Sequence, residues 1–186
     1  LVDVRSLLSK IPETETEKEE ITIQEAQKEI KELKKEVDQL QENKEHKERQ
    51  IEDTKEKKKF YRKLRGSNLS QKDLQPSDTL EVFVGKLDKQ SFKQNVKADS
   101  FEIIEGESAQ AVIYSKRDAD RIEKPLQNAA KKQFTTPKTE FKGNCTEIYK
   151  KLENKEKTLR EELKDIKQQK ENHAEKWRGK LTYLEE

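Results

Sequence analysis

LEVFVGKLDKQSF, residues Leu80 to Phe92, decides how the rest of the chain is read. Leu80, Val82 and Val84 alternate with Phe83, which suits a strand with two different faces. Gly85 is expected to close that strand, and a short helix is expected over Lys89–Val96. Apart from the N-terminal stretch Leu1–Ile11, nothing else in the first half of the chain is so apolar. The stretch therefore reads as the opening of a small α/β unit set between very polar neighbours.

Working outward towards the C-terminus, Phe101–Glu105 reads as a second strand ended by Gly106, and Ala109–Tyr114 as a third. A helix is expected from Arg117 to Lys132, because Ala119, Ile122, Leu126 and Ala130 fall on one stripe. A last extended piece is expected from Phe134 towards Phe141, through Pro137. The order is β-α-β-β-α-β, the split βαβ or ferredoxin-like pattern.

The flanks read as two long helices. Thr22 and Glu25 form a T-x-x-E capping box. Ile23, Ala26, Ile30, Leu33, Val37 and Leu40 then recur at steps of three and four. Lys44, Lys47, Ile51, Thr54, Lys58 and Tyr61 continue the frame, a sustained heptad pattern. It ends before the breaker cluster Gly66-Ser67-Asn68. Asn144 with Glu147 caps the second helix. Its seam runs through Cys145, Ile148, Leu152, Lys155, Leu159, Leu163, Ile166, Lys170, His173, Trp177, Leu181 and Leu184. Steps of four around Leu159 and Trp177 are stutters that relax the supercoil. Each helix is about 65 Å long at ~1.5 Å per residue. Neither buries its stripe alone, so the two are expected to pair antiparallel, with Leu40 facing Ile166, Ile30 facing Trp177 and His173 facing Lys34.

The expected fold is thus α+β: a long antiparallel two-helix coiled coil with an inserted small ferredoxin-like lobe at its tip. The expected segments are 1–21 as the N-terminal part of a proximal lobe, 22–65 as the first helix, 66–141 as the α/β lobe and 142–186 as the second helix. Leu7, Leu8 and Ile11 have nothing nearby to cover them, and there is no methionine even at position 1. The chain is therefore expected to be a piece of a longer protein.

Composition agrees with long helices. Of 186 residues 43% are charged and 29% apolar, well below the ~45–50% apolar content of an ordinary domain. Yet 41 basic residues nearly cancel 39 acidic ones, leaving +2, which favours solvent-washed helices over disorder. The pI is about 8.4, below the ~9 that marks a nucleic-acid binder. The basic runs Lys57-Lys58-Lys59 and Lys131-Lys132 are short, so no nucleic acid is expected. No segment is apolar enough to span a membrane.

Chemical motifs are sparse. Val84-Gly85-Lys86-Leu87 fails as a phosphate loop: Leu80 stands where the first glycine belongs and Leu87 replaces the Ser or Thr. His46 and His173 lie too far apart along the helices to share a metal. Cys145 reads as a small buried seam residue rather than a nucleophile, and Asn144-Cys145-Thr146 as a cap rather than a glycosylation site. Seam lysines 44, 47, 58, 155 and 170 weaken the helix pair, leave it able to flex, or receive acidic side chains of another helix. No catalytic, cofactor-binding or metal residue is assigned, no cofactor is expected, and protein-interface residues stay unassigned.

Four stretches together carry a resemblance: ITIQEAQKEIKELKKEVDQL, EVFVGKL, SFEIIEGESAQAVIYSKRDADRIEKPLQNAAKKQF and GNCTEIYKKLENKEKTLREELKDI. Their order and spacing resemble the N-terminal cytosolic part of subunit I of archaeal and bacterial A/V-type ATPases, called subunit a in the eukaryotic enzyme. The resemblance implies a non-catalytic stator role in a rotary proton-translocating ATPase. It implies E/G- or E/H-type peripheral-stalk heterodimers as partners. It also implies a soluble piece at the cytoplasmic face, joined to the membrane only through a C-terminal domain that this chain lacks. Two other readings stay open: a hairpin-and-hinge protein that organises DNA, and a generic coiled-coil adaptor.

Overall fold

The structure, a computed structural model, describes residues 23–185, with side chains described for 28–174. The Thr22–Glu25 cap, the apolar N-terminal residues and the seam positions Trp177, Leu181 and Leu184 lie outside those limits. The chain is α+β. Its elements are α1 Ile23–Lys63, β1 Leu80–Leu87, α2 Lys89–Asn95, β2 Phe101–Glu105, β3 Gln110–Ser115, α3 Ala119–Ala129, β4 Ala130–Gln133 and α4 Cys145–Glu185. It divides into two compact units, one made of the chain up to Glu52 and from Lys157 onward, the other Asp53–Glu156.

In the first unit α1 and α4 run antiparallel. Glu36 reaches His173, Gln41 reaches Lys170 and Lys47 reaches Glu162. His173 thus meets Glu36 rather than the expected Lys34, a shift of two residues. Leu33, Val37, Leu40 and Ile51 are buried along α1, as are Leu159 and Ala174 along α4. The α1 residues keep the three-and-four spacing that puts one stripe on one face.

The second unit is built in three layers around a four-stranded antiparallel sheet of order β2-β3-β1-β4. Successive side chains of a strand point to opposite faces, and β1 shows the consequence. Val82 and Val84 join Phe60, Tyr61, Leu64, Cys145, Ile148 and Leu152 on the face covered by α1 and α4. Phe83 and Leu87 join Phe92, Ile122 and Leu126 on the face covered by α2 and α3. Each such buried side chain contributes about 1.5–3 kcal/mol relative to exposure. Leu80, at the strand's start, is exposed.

Three boundaries differ from the sequence reading. β1 does not close at Gly85 but continues to Leu87, with Gly85 pairing to Gln110 on one side and Gln133 on the other. A Cβ on Gly85 would collide with the Lys132 carbonyl oxygen and the Phe83 ring. Glycine here lets β4 come close rather than ending the strand. The helix expected to reach Lys132 stops at Ala129, and the last strand is Ala130–Gln133 rather than Phe134–Phe141. Pairing with the far half of β1 overrides the helical preference of Ala-Ala-Lys-Lys. Beyond Phe134, whose N–H donates to the Val84 carbonyl, Pro137 has no donor for a ladder.

The start of α4 follows the capping-box reading. The Glu147 N–H donates to Asn144 Oδ1 at 3.0 Å, and the Asn144 N–H donates to Glu147 Oε2 at 3.2 Å. Replacing Gly85 by Ala is expected to cost about 1–3 kcal/mol through overpacking. Asn144→Ala is expected to cost about 1 kcal/mol through the lost cap. Urea titrations followed by circular dichroism measure both.

Candidate functional site

The lysines on the helical seam do not wait for an outside helix. Lys47 Nζ lies 2.6 Å from Glu162 Oε2, and Lys58 Nζ lies 2.5 Å from Glu156 Oε2. Lys170 donates to Gln41 Oε1 at 3.0 Å, and Lys44 lies 3.9 Å from Glu48 one turn on. The acidic groups expected from another helix are thus supplied largely by this chain. Lys155 leaves the seam altogether. Its Nζ sits 2.5 Å from Glu140 Oε1 and 5.7 Å from the Phe141 ring centre, while Glu156 takes the buried position at 7% exposure. The Lys155 ammonium is the first cause that holds the Glu140 carboxyl below its ordinary range.

The other singled-out residues are structural. His46 is exposed, and His173 Nδ1 lies 3.5 Å from Glu36 Oε2. Cys145 is fully buried, its N–H donating to the Leu69 carbonyl. Burial pushes its thiol up to about 11. Burial also lifts Tyr61 to about 12, with the Cys145 charge a lesser cause, and the Tyr61 hydroxyl donates to the Pro137 carbonyl at 3.2 Å. Lys86, within the failed phosphate-loop motif, lies on a strand rather than a loop. A groove of about 420 Å³ runs between Ser70, Gln75, Thr139 and Phe141; its one carboxylate, Glu140, is already paired with Lys155. Among the described residues no group of His, Cys, Asp and Glu is arranged to hold a metal ion, and no helix is long and apolar enough to cross a membrane.

Both faces of the sheet are covered inside the second unit, so no sheet face is left to seat a partner. What remains outside is charge. Lys63 from α1 and Lys132 from β4 flank the half-buried Phe134, and the charges of Lys59 from α1 and Lys86 from β1 also act on Lys63. The sequence showed these lysines only as short, scattered runs. The signal that brings them together is the β1–β4 register, which sets Lys86 opposite Lys132, beyond the strand end that Gly85 suggests in the sequence.

The fold is similar to that of a solved structure. It is described as the cytoplasmic N-terminal domain of subunit I, homolog of subunit a, of V-ATPase. The match has a TM-score of 0.55 at 15% identity, covering 95% of this chain and 62% of that one. This chain thus spans less than two thirds of that structure's length. No family description and no curated protein matches the sequence.

Two consequences are measurable. Lys58→Ala removes the Lys58 contact from the buried Glu156 and is expected to cost about 1–3 kcal/mol; adding Glu156→Leu is expected to restore part of the loss in a double-mutant cycle. The raised Cys145 and Tyr61 values mean that the folded state holds protons which the unfolded chain has released. Their contribution is present below the ordinary values of 9.0 and 10.0 and is lost as pH rises towards about 11 and about 12. Urea midpoints are therefore expected to fall from about pH 9 upward, and Cys145→Ala is expected to weaken that fall.

Proposed function

We infer that this chain is a stator element of a rotary A/V-type ATPase, an arm that ties peripheral stalks to the membrane sector. The observation that carries the reading is the fold likeness over 95% of the chain to the cytoplasmic domain of V-ATPase subunit I. The strand order β2-β3-β1-β4 supports the split βαβ form of the inserted lobe. The antiparallel contacts of α1 with α4 support the coiled-coil form of the arm. In this reading residues 22–65 and 142–186 form the arm, 66–141 the distal lobe and 1–21 part of a proximal lobe.

The mechanical demands fit the chemistry. A stator transmits force, so it needs stiffness along its length and firm anchoring of its docking unit. Paired helices supply the first, since stretching them works against every backbone hydrogen bond in series. The three-layer packing around the sheet supplies the second. No catalytic step belongs to this chain, which would sit at the cytoplasmic face and reach the membrane through another part of the same protein.

Binding to a purified E/G-type stalk heterodimer, measured by calorimetry, tests the reading. Saturable binding at physiological salt is the expected result. Absence of binding, together with DNA binding that collapses steeply with salt, would overturn it in favour of a DNA-organising hairpin.

A further inference from the structure

Lys86 and Lys132 stand directly opposite each other across β1 and β4, a placement in which like charges destabilise a sheet. Lys63, in the last turn of α1, brings its Nζ to 4.9 Å from the Phe134 ring centre, and Lys132 brings its own to 5.6 Å. Burial, then the charges of Lys132, Lys59 and Lys86, pull the Lys63 ammonium below its ordinary range. Some lysines elsewhere in the unit take carboxylates: Lys57 pairs with Asp53, Lys89 with Glu105 and Lys116 with Glu81. Among the described residues, Lys59, Lys63, Lys86 and Lys132 form no such pair.

Three backbone elements hold these four charges together, so the side chains cannot relieve the repulsion by drifting far apart. A ligand bearing several carboxylates would relieve it. Part of its binding energy then comes from repulsion already present in the free protein. The four ammonium groups come from three separate elements, so they suit carboxylates spread along a chain better than one compact phosphate. The ring of Phe134 adds an apolar footing between the ammonium groups.

We propose that Lys59, Lys63, Lys86 and Lys132, with Phe134 between Lys63 and Lys132, form a docking surface for an acidic protein segment that carries an apolar side chain among its carboxylates. The inference deepens the stator reading, and rests on it only in assigning the segment to a stalk subunit. DNA and anionic membranes are the competing occupants.

The test uses the full chain and three labelled probes: a peptide of alternating Glu and Leu, a DNA duplex, and phosphatidylserine-containing vesicles. Lys63→Glu with Lys132→Glu is compared with Lys124→Glu plus Lys150→Glu, which changes net charge equally at exposed sites elsewhere. Lys63→Gln with Lys132→Gln is the milder variant should charge reversal impair folding, which circular dichroism melts report. The expected result is peptide binding weakened about tenfold or more by the reversal, less by the neutral pair and within about twofold by the control pair. Equal loss in both reversed pairs would reduce the effect to bulk charge and overturn the proposal. So would binding of DNA or vesicles without the peptide. A stalk heterodimer that binds wild type and the reversed variant equally would remove this site and leave the stator reading standing. Failure of the heterodimer to bind, with peptide binding still lost on reversal, would do the opposite.

Discussion

The structure depends on one apolar contact: the last turns of α1 and the first turns of α4 packed under the sheet. Phe60, Tyr61, Leu64, Cys145, Ile148 and Leu152 meet Val84, Ala109 and Ala111 there. With 29% apolar residues in the chain, the only other cluster of buried apolar side chains among the described residues is the one under α2 and α3. The helix ends need the sheet to cover their stripe, and the sheet needs the helix ends to cover its second face. Neither half of that contact would be stable in water alone.

Polar pairing fills the gaps that this shortage of apolar residues leaves. Lys47 with Glu162, Lys58 with Glu156 and Gln41 with Lys170 take positions where a richer sequence would place leucine. Such pairs, partly open to water, contribute modestly to stability. They do fix which residues face each other, because a shifted helix would separate the buried Glu156 from Lys58. Specific pairing of the helices thus rests as much on charge as on the apolar stripe.

The sequence made much of this legible. The period of the apolar residues marked α1 and α4, and the Asn144–Glu147 box placed the start of α4. Alternation about Phe83 sorted β1 onto its two faces. What escaped was decided by distant parts of the chain. Gly85 looks locally like a strand end, and only the approach of β4 shows why it lies mid-strand. Lys155 fitted the heptad frame, but Glu140 and Phe141 lie outside any helical period and draw it away. The lysine cluster depends on the register of two strands whose ends the sequence misplaced.

The C-terminal end of α1 is tied to the β2–β3 turn through the Lys63 carbonyl, which accepts from the N–H groups of both Ser108 and Ala109. A Cβ on Gly106 in that turn would meet the same carbonyl oxygen at 2.5 Å. Apart from the need for glycine at this approach, the junction uses atoms that every amino acid possesses. Its geometry is therefore blind to the side chain at position 63, which is free to serve the surface instead. A joint of this kind lets an architecture persist while its exterior is rewritten, one route by which two chains sharing 15% identity come to share a fold.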